Sequence, residues 1–171
     1  MFGRIVDIQV SPYSPPPGVA DLGELFVSLR RCPYAMLLLS GGDLDCAGCS
    51  LMGWDPFLVL RARGDRITVQ RDGAVQVCRG NPFTVLEDLL GALELPGDAP
   101  LAPFSAGGLG FLAYDLKNHL EKLPQTAMDD LGLPEMVLAF PRRLVVHDRR
   151  AGRFWQVRLT YEDPEGRRTA P

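Results

Sequence analysis

The chain has 171 residues, 46% of them hydrophobic and 23% charged, with a formal net charge of −3. That is enough for one globular domain with a real core, and no basic block is large enough for a nucleic-acid footprint. No apolar run approaches the roughly 18 residues of a membrane span. The start, "MFGRIVDIQV", lacks the basic head and long apolar core of a secretory signal. These features predict a cytoplasmic protein with four reduced cysteines.

Ile5–Val10 alternates like a strand, and "SPYSPPP" after it reads as a stiff extended loop. Val19, Leu22, Leu25, Phe26 and Leu29 fall on one helical face, with Asp21 near the start and Pro33 beyond the end. Ala35–Leu39 is a short apolar run of strand length, broken by Gly41 and Gly42. Leu51–Gly53 leads to Asp55-Pro56, and Phe57–Arg61 alternates as a further strand. Arg63-Gly-Asp65 is a turn, Ile67–Gln70 a strand, Asp72-Gly73 a hairpin signal and Val75–Cys78 a strand.

Asn81-Pro82 opens a helix with a capping residue and a first-turn proline. Val85, Leu86, Leu89, Leu90 and Leu93 form its expected buried stripe. "PGDAPLAP" is a loop. Leu116, Leu120 and Leu123 predict a short helix stopped by Pro124. Met136–Phe140, Leu144–His147 and Phe154–Thr160 read as three closing strands, the last two joined by the basic turn His147–Arg153. Glu162–Pro171 reads as a polar linker or end segment. Strands cluster instead of alternating with helices, so the fold class is α+β, mostly antiparallel sheet with a few packed helices.

"GGLGFLAYD", from Gly107 to Asp115, contains G-x-G-x-x-A, a form of the dinucleotide fingerprint. That motif needs a strand running into the glycines and a helix starting on them. Here "APLAPFSA" precedes the glycines, strand-like residues follow, and helix begins only near Asp115. The better reading is glycines that let a strand pass close to another backbone.

The runs "PFSAGGLGFLAYDLKNHLEKLP" and "DDLGLPEMVLAFPRRLVVHD", with "AMLLLSGG" and "CSLMGWDP" upstream, resemble the N-terminal region of a known family. It is component I of the anthranilate and aminodeoxychorismate (para-aminobenzoate) synthases. The likeness covers about Ala35 to Thr160 and rests on several segments in the right order. It implies the N-terminal part of the chorismate-utilising synthase fold over residues 1–161, with 162–171 beyond it. It implies that the catalytic chorismate-binding domain, which would bind Mg2+, is absent, and that this segment alone is inactive and holds no cofactor. The implied partners are that C-terminal domain of the same chain and a glutamine amidotransferase subunit, with no nucleic acid and no membrane.

By the same resemblance Leu39, Ser40, Ser50, Leu51, Met52 and Gly53 line an amino-acid pocket of the kind that takes tryptophan. In anthranilate synthases position 39 is usually the Glu of Leu-Leu-Glu-Ser, which helps hold tryptophan's amino group. Leucine cannot accept that hydrogen bond. Gly48 and Cys49 stand where Arg and an aromatic usually begin the second segment. Both departures favour aminodeoxychorismate synthase over anthranilate synthase. A free-standing module binding an amino acid or protein is the third reading.

Other motifs point to less. Cys46-Ala-Gly-Cys49 lacks a second ligand pair for zinc and a helix N-terminus for redox work. Ser40 and Ser50 lack a nucleophile motif, and each could instead satisfy a strand-end backbone group. Asp43 and Asp45 read as solvated loop acids, or as a substitute ammonium partner. His119 reads as packed or exposed, and Trp54 and Trp155 as core. No catalytic or metal residue is assigned.

Overall fold

The computed structural model of the chain describes residues 2–19, 21–42, 47–93, 95, 104–124 and 128–171. The elements are β1 (Arg4–Tyr13), α1 (Leu22–Phe26), β2 (Met36–Leu38), β3 (Cys49–Arg63), β4 (Arg66–Arg71), β5 (Ala74–Arg79), α2 (Pro82–Ala92), β6 (Leu109–Leu112), β7 (Met136–Asp148), β8 (Arg153–Glu162) and β9 (Arg168–Thr169). All pairings are antiparallel. The main order is β1-β8-β7-β3-β4-β5, with β2 on β3, β6 on β7 and β9 on β8. The fold class is α+β and mostly β.

Two long strands carry the architecture. β3 and β7 pair along nearly their whole length, from Cys49↔Asp148 to Ala62↔Met136. Near the middle Pro56 faces Pro141, and the register shifts between Pro56 and Leu58. Proline cannot donate to a ladder, so it is tolerated at such a bulge. Beyond the bend β3 pairs with β4 and β7 with β6. Before it β3 pairs with β2 and β7 with β8. The sequence reading split each long strand in two, at Asp55-Pro56 and after Phe140. Each is one strand, because the bulge absorbs the prolines.

Residues from both halves meet in one core. Ile5, Ile8, Leu159 and Tyr161 from one half join Leu58, Leu60, Ile67 and Phe140 from the other, with Leu89 and Leu93 of the α2 region. Phe57 stacks on Tyr161 at 4.4 Å and lies 6.2 Å from Phe140. A second cluster, Leu22, Met52 and Val145, packs under α1.

Several local expectations hold for their stated reasons. Asp72 and Gly73 both have positive φ, 40° and 87°, as a two-residue hairpin turn requires. Asn81 caps α2 by accepting from the Phe83 amide, with Pro82 in the first turn. Asp21 caps α1 through the Gly23 and Glu24 amides.

Others need correction. The first helix is five residues followed by a 3-10 turn, Val27–Leu29. Leu90 leaves the predicted stripe and is 52% exposed. The predicted Leu116 helix is a 3-10 turn over Tyr114–His119, with Leu116 buried but Leu120 and Leu123 exposed. Ser11–Tyr13 extends β1, because an edge strand tolerates Pro12.

The polar tail folds back. Arg168 and Thr169 pair with Glu162 and Tyr161, and the Glu162 carboxylate accepts from both Arg4 and Arg168. These contacts, Arg168's first, hold Glu162 below its ordinary pKa of 4.5. A depressed acid stabilises the fold above its unfolded pKa, and that support is lost as pH falls through the folded value. β9 should therefore release from β8 on acidification below pH 4.5, before the main sheet does. The protection factor of the Thr169 amide measures this, and Glu162→Gln should reduce its dependence on pH in that range, leaving the part carried by Asp163, whose carboxylate accepts from Arg167 in the connecting turn.

Candidate functional site

The glycine run resolves as backbone proximity. Residues Leu109–Leu112 form β6 on β7, and a Cβ on Gly110 would lie 1.8 Å from the Val137 carbonyl oxygen. No helix starts on the glycines, so no phosphate cradle exists there.

Ser40 and Ser50 do meet. β2 and β3 pair with Leu38 opposite Leu51, Leu37 opposite Met52 and Met36 opposite Gly53. Just past that ladder the Ser40 amide donates to Ser50 Oγ at 3.1 Å, and Ser40 Oγ donates to the Cys49 carbonyl at 2.6 Å. Ser50 is 3% exposed. Both hydroxyls therefore close the open end of a strand pair.

Strand alternation divides the six predicted pocket residues. Met52 packs with Leu22, Val145 and Trp54 on the α1 side. Leu51 packs against the main core, and Gly53 lies against Leu109 and Pro141. Leu39 is 55% exposed and close to Gly23 of α1. Leu39, Ser50 and Met52 can thus share one side, with Leu51 and Gly53 on the other.

One neighbour was missed. His147 sits directly opposite Ser50 in the β3–β7 register and stacks on Phe154 at 4.0 Å. Sequence reasoning put it in a solvated basic turn. Burial, then the Arg149 charge, lowers its pKa against the opposing pull of Asp148 and Asp21. A neutral imidazole at this place can accept a hydrogen bond at neutral pH. Only its opposition to Ser50 marks it, and that depends on register.

The remaining candidates lie elsewhere. Asp43, Asp45 and Cys46 fall outside the described residues. Burial, then Asp148, pushes the Cys49 thiol up, the opposite of a reactive cysteine. His119 lies 3.3 Å from Glu135. Trp54 and Trp155 are half-buried at the core margins. Among the described residues no cluster of three His, Cys, Asp or Glu side chains could hold a metal, and no helix is long and apolar enough to cross a membrane.

A second feature is apolar. Phe111 of β6, Met128, Leu131 and Leu133 are exposed and line a cavity of about 410 Å³, and Leu112 and Tyr114, next along the chain from Phe111, are exposed as well. Exposed apolar residues gathered in this way mark an interaction surface.

No family model matches the chain. Curated relatives do. It is 30% identical over 118 residues to anthranilate synthase component 1 of Acetivibrio thermocellus, covering 68% of this chain and 24% of that protein. It is 35% identical over 115 residues to aminodeoxychorismate synthase component 1 of Salmonella typhimurium, covering 66% and 25%. It is 32% identical over 153 residues to aminodeoxychorismate synthase component 1 of Klebsiella aerogenes, covering 86% and 33%. The chain therefore spans between a quarter and a third of the length of these relatives.

Proposed function

We infer, from the chain's place in the component 1 family of the anthranilate and aminodeoxychorismate synthases, that it is the N-terminal scaffold and amino-acid-pocket domain of such a synthase. The observation that carries this is the match to both kinds of component 1 over most of the chain. The exposed apolar face around β6 fits it, as the surface on which a C-terminal chorismate-binding domain packs. The whole protein would aminate chorismate with Mg2+ held by that other domain and ammonia from a glutamine amidotransferase partner. Residues 1–161 supply scaffold and pocket wall, and this segment alone makes no product.

Of the two activities we favour aminodeoxychorismate synthase, in folate biosynthesis. Leu39 stands where the resemblance puts tryptophan's ammonium partner, and a leucine there offers no acceptor. The test is the product made by the full reading frame with chorismate, ammonia and Mg2+. Aminodeoxychorismate supports the reading, and anthranilate as sole product overturns it.

The pocket has its own test. Leu39, Ser40, Ser50, Leu51, Met52 and Gly53 were assigned to it by resemblance, and the α1 side of β3 is the side where a ligand would meet Leu39 and Ser50. Tryptophan should bind the full-length protein weakly, and Leu39→Glu should tighten it roughly 10- to 150-fold, the worth of a hydrogen bond to a charged group. Calorimetric titration decides. Tight binding by wild type that Leu39→Glu weakens would show that the ammonium is held elsewhere.

A further inference from the structure

A second cavity, of about 350 Å³, lies at the bend of the long strands, and neither Ser40 nor Ser50 lines it. Three separated segments line it: Cys32–Tyr34, Trp54–Pro56 with Val59, and Gln70 with Asp72-Gly73. Its size is that of a small-ligand site, for which about 300 Å³ is the lower end.

The lining has a definite chemistry. Tyr34 and Trp54 supply aromatic surface, and Pro33, Pro56 and Val59 supply apolar surface. The charged residues lining the cavity are Asp55 and Asp72, and among the described residues no Lys, Arg or His lines it. Gln70 Oε1 accepts weakly from the Tyr34 hydroxyl at 3.5 Å.

Both carboxylates have arginine partners. Arg142, whose side chain is 6% exposed, donates to Asp72 and to Thr169 Oγ1, and lies 3.6 Å from Asp55. Arg143 Nε lies 3.6 Å from the other Asp55 oxygen. The two carboxylates nevertheless remain 43% and 39% exposed. The guanidiniums offset part of their charge, and neither arginine lines the cavity.

The backbone agrees. Among the described residues three non-glycines have positive φ: Tyr34 at 56°, Asp55 at 57° and Asp72 at 40°. All three line this cavity. Asp72 owes its φ to the hairpin turn, whereas outliers such as Tyr34 gather where a site is pre-shaped.

We propose that this cavity binds a small organic cation, a primary amine or guanidinium carried on a flat apolar body. The cation meets carboxylate oxygens and aromatic faces, both of which attract positive charge. The body fills the space between Trp54, Tyr34 and the prolines. This assignment is independent of the chorismate chemistry.

The experiment titrates the intact chain with benzylamine, following the Trp54 indole and Tyr34 resonances by NMR. Benzyl alcohol is the neutral isostere and benzoate the anionic one. Benzylamine should give saturable shifts confined to the cavity, and benzyl alcohol should bind at least tenfold more weakly. Asp72→Asn keeps a turn that suits positive φ, and Asp55→Asn keeps a residue that tolerates it. Each should weaken benzylamine about tenfold. If loss of an Arg142 partner unfolds either variant, the isostere comparison on wild type still decides. Absence of saturable benzylamine shifts, or equal binding by benzyl alcohol, overturns the proposal.

Discussion

Phe57→Ala should cost about 3–5 kcal/mol of unfolding free energy. Phe57 is 1% exposed and sits at the bulge after Pro56, where the register shift lets it and Leu58 both turn inward. Its ring stacks on Tyr161 and touches Phe140, so it joins β3 to β8 across the core. Truncation removes apolar burial, leaves a cavity between the two halves and deletes two aromatic pairs, each worth about 0.5–1.5 kcal/mol. Tyr161 also loses the ring that orients it, and its hydroxyl accepts from the Gly3 amide at 3.0 Å. Urea unfolding of both proteins measures the difference. Phe57→Leu should recover part of the loss, because it refills volume without restoring the stack. A cost below about 1 kcal/mol for the alanine variant would mean the core closes over the gap, in contrast to the usual behaviour of buried aromatics.

Gly110→Ala should cost about 3 kcal/mol and detach β6 from β7. The added methyl would lie 1.8 Å from the Val137 oxygen, 2.8 Å from the Val137 carbonyl carbon and 3.1 Å from the Leu138 Cα. These are backbone atoms of β7, which is paired on its other side with β3, so they cannot retreat. Gly152→Ala is the control. Its φ is 61°, but nothing lies within 4 Å of the added methyl, so it should cost only about 1 kcal/mol, the left-handed penalty alone. Urea midpoints give the two costs, and faster exchange of the amides in β6 identifies the detached strand. Equal costs for the two variants would refute the close-approach account of this glycine.

The sequence carried the local structure well where chemistry fixes the backbone. Asp72-Gly73 gave the hairpin, Asn81-Pro82 the helix start and "GGLGFLAYD" the close-passing strand, each from a single physical requirement. It failed where a long-range partner decides. Asp55-Pro56 and Pro141 look like breaks in isolation. They are tolerated because each faces the other across one bulge, and neither residue alone says so. The site was divided in the same way. The resemblance named Ser40 and Ser50 as pocket residues, and the β2–β3 pairing brings the two together. His147 was missed, because its place opposite Ser50 depends on a register that no local pattern encodes. The cavity lined by Tyr34, Asp55 and Asp72 was equally hidden, since its walls come from three distant segments.

β3 and β7 are common property of both halves of the sheet, and this bears on how the molecule opens. Sub-global unfolding needs a seam along which one part can leave while the other keeps its ladder. Here every cut across the bend passes through two continuous strands and through the shared core. The segment has no internal hinge at Pro56 and Pro141. Amides on both sides of the bend, such as those of Leu60 and Val145, should become accessible only through the same whole-molecule event. Fraying is left to the short appended strands β2, β6 and β9. A protein built this way can offer its rims to a ligand or a neighbouring domain while its centre stays a single cooperative unit.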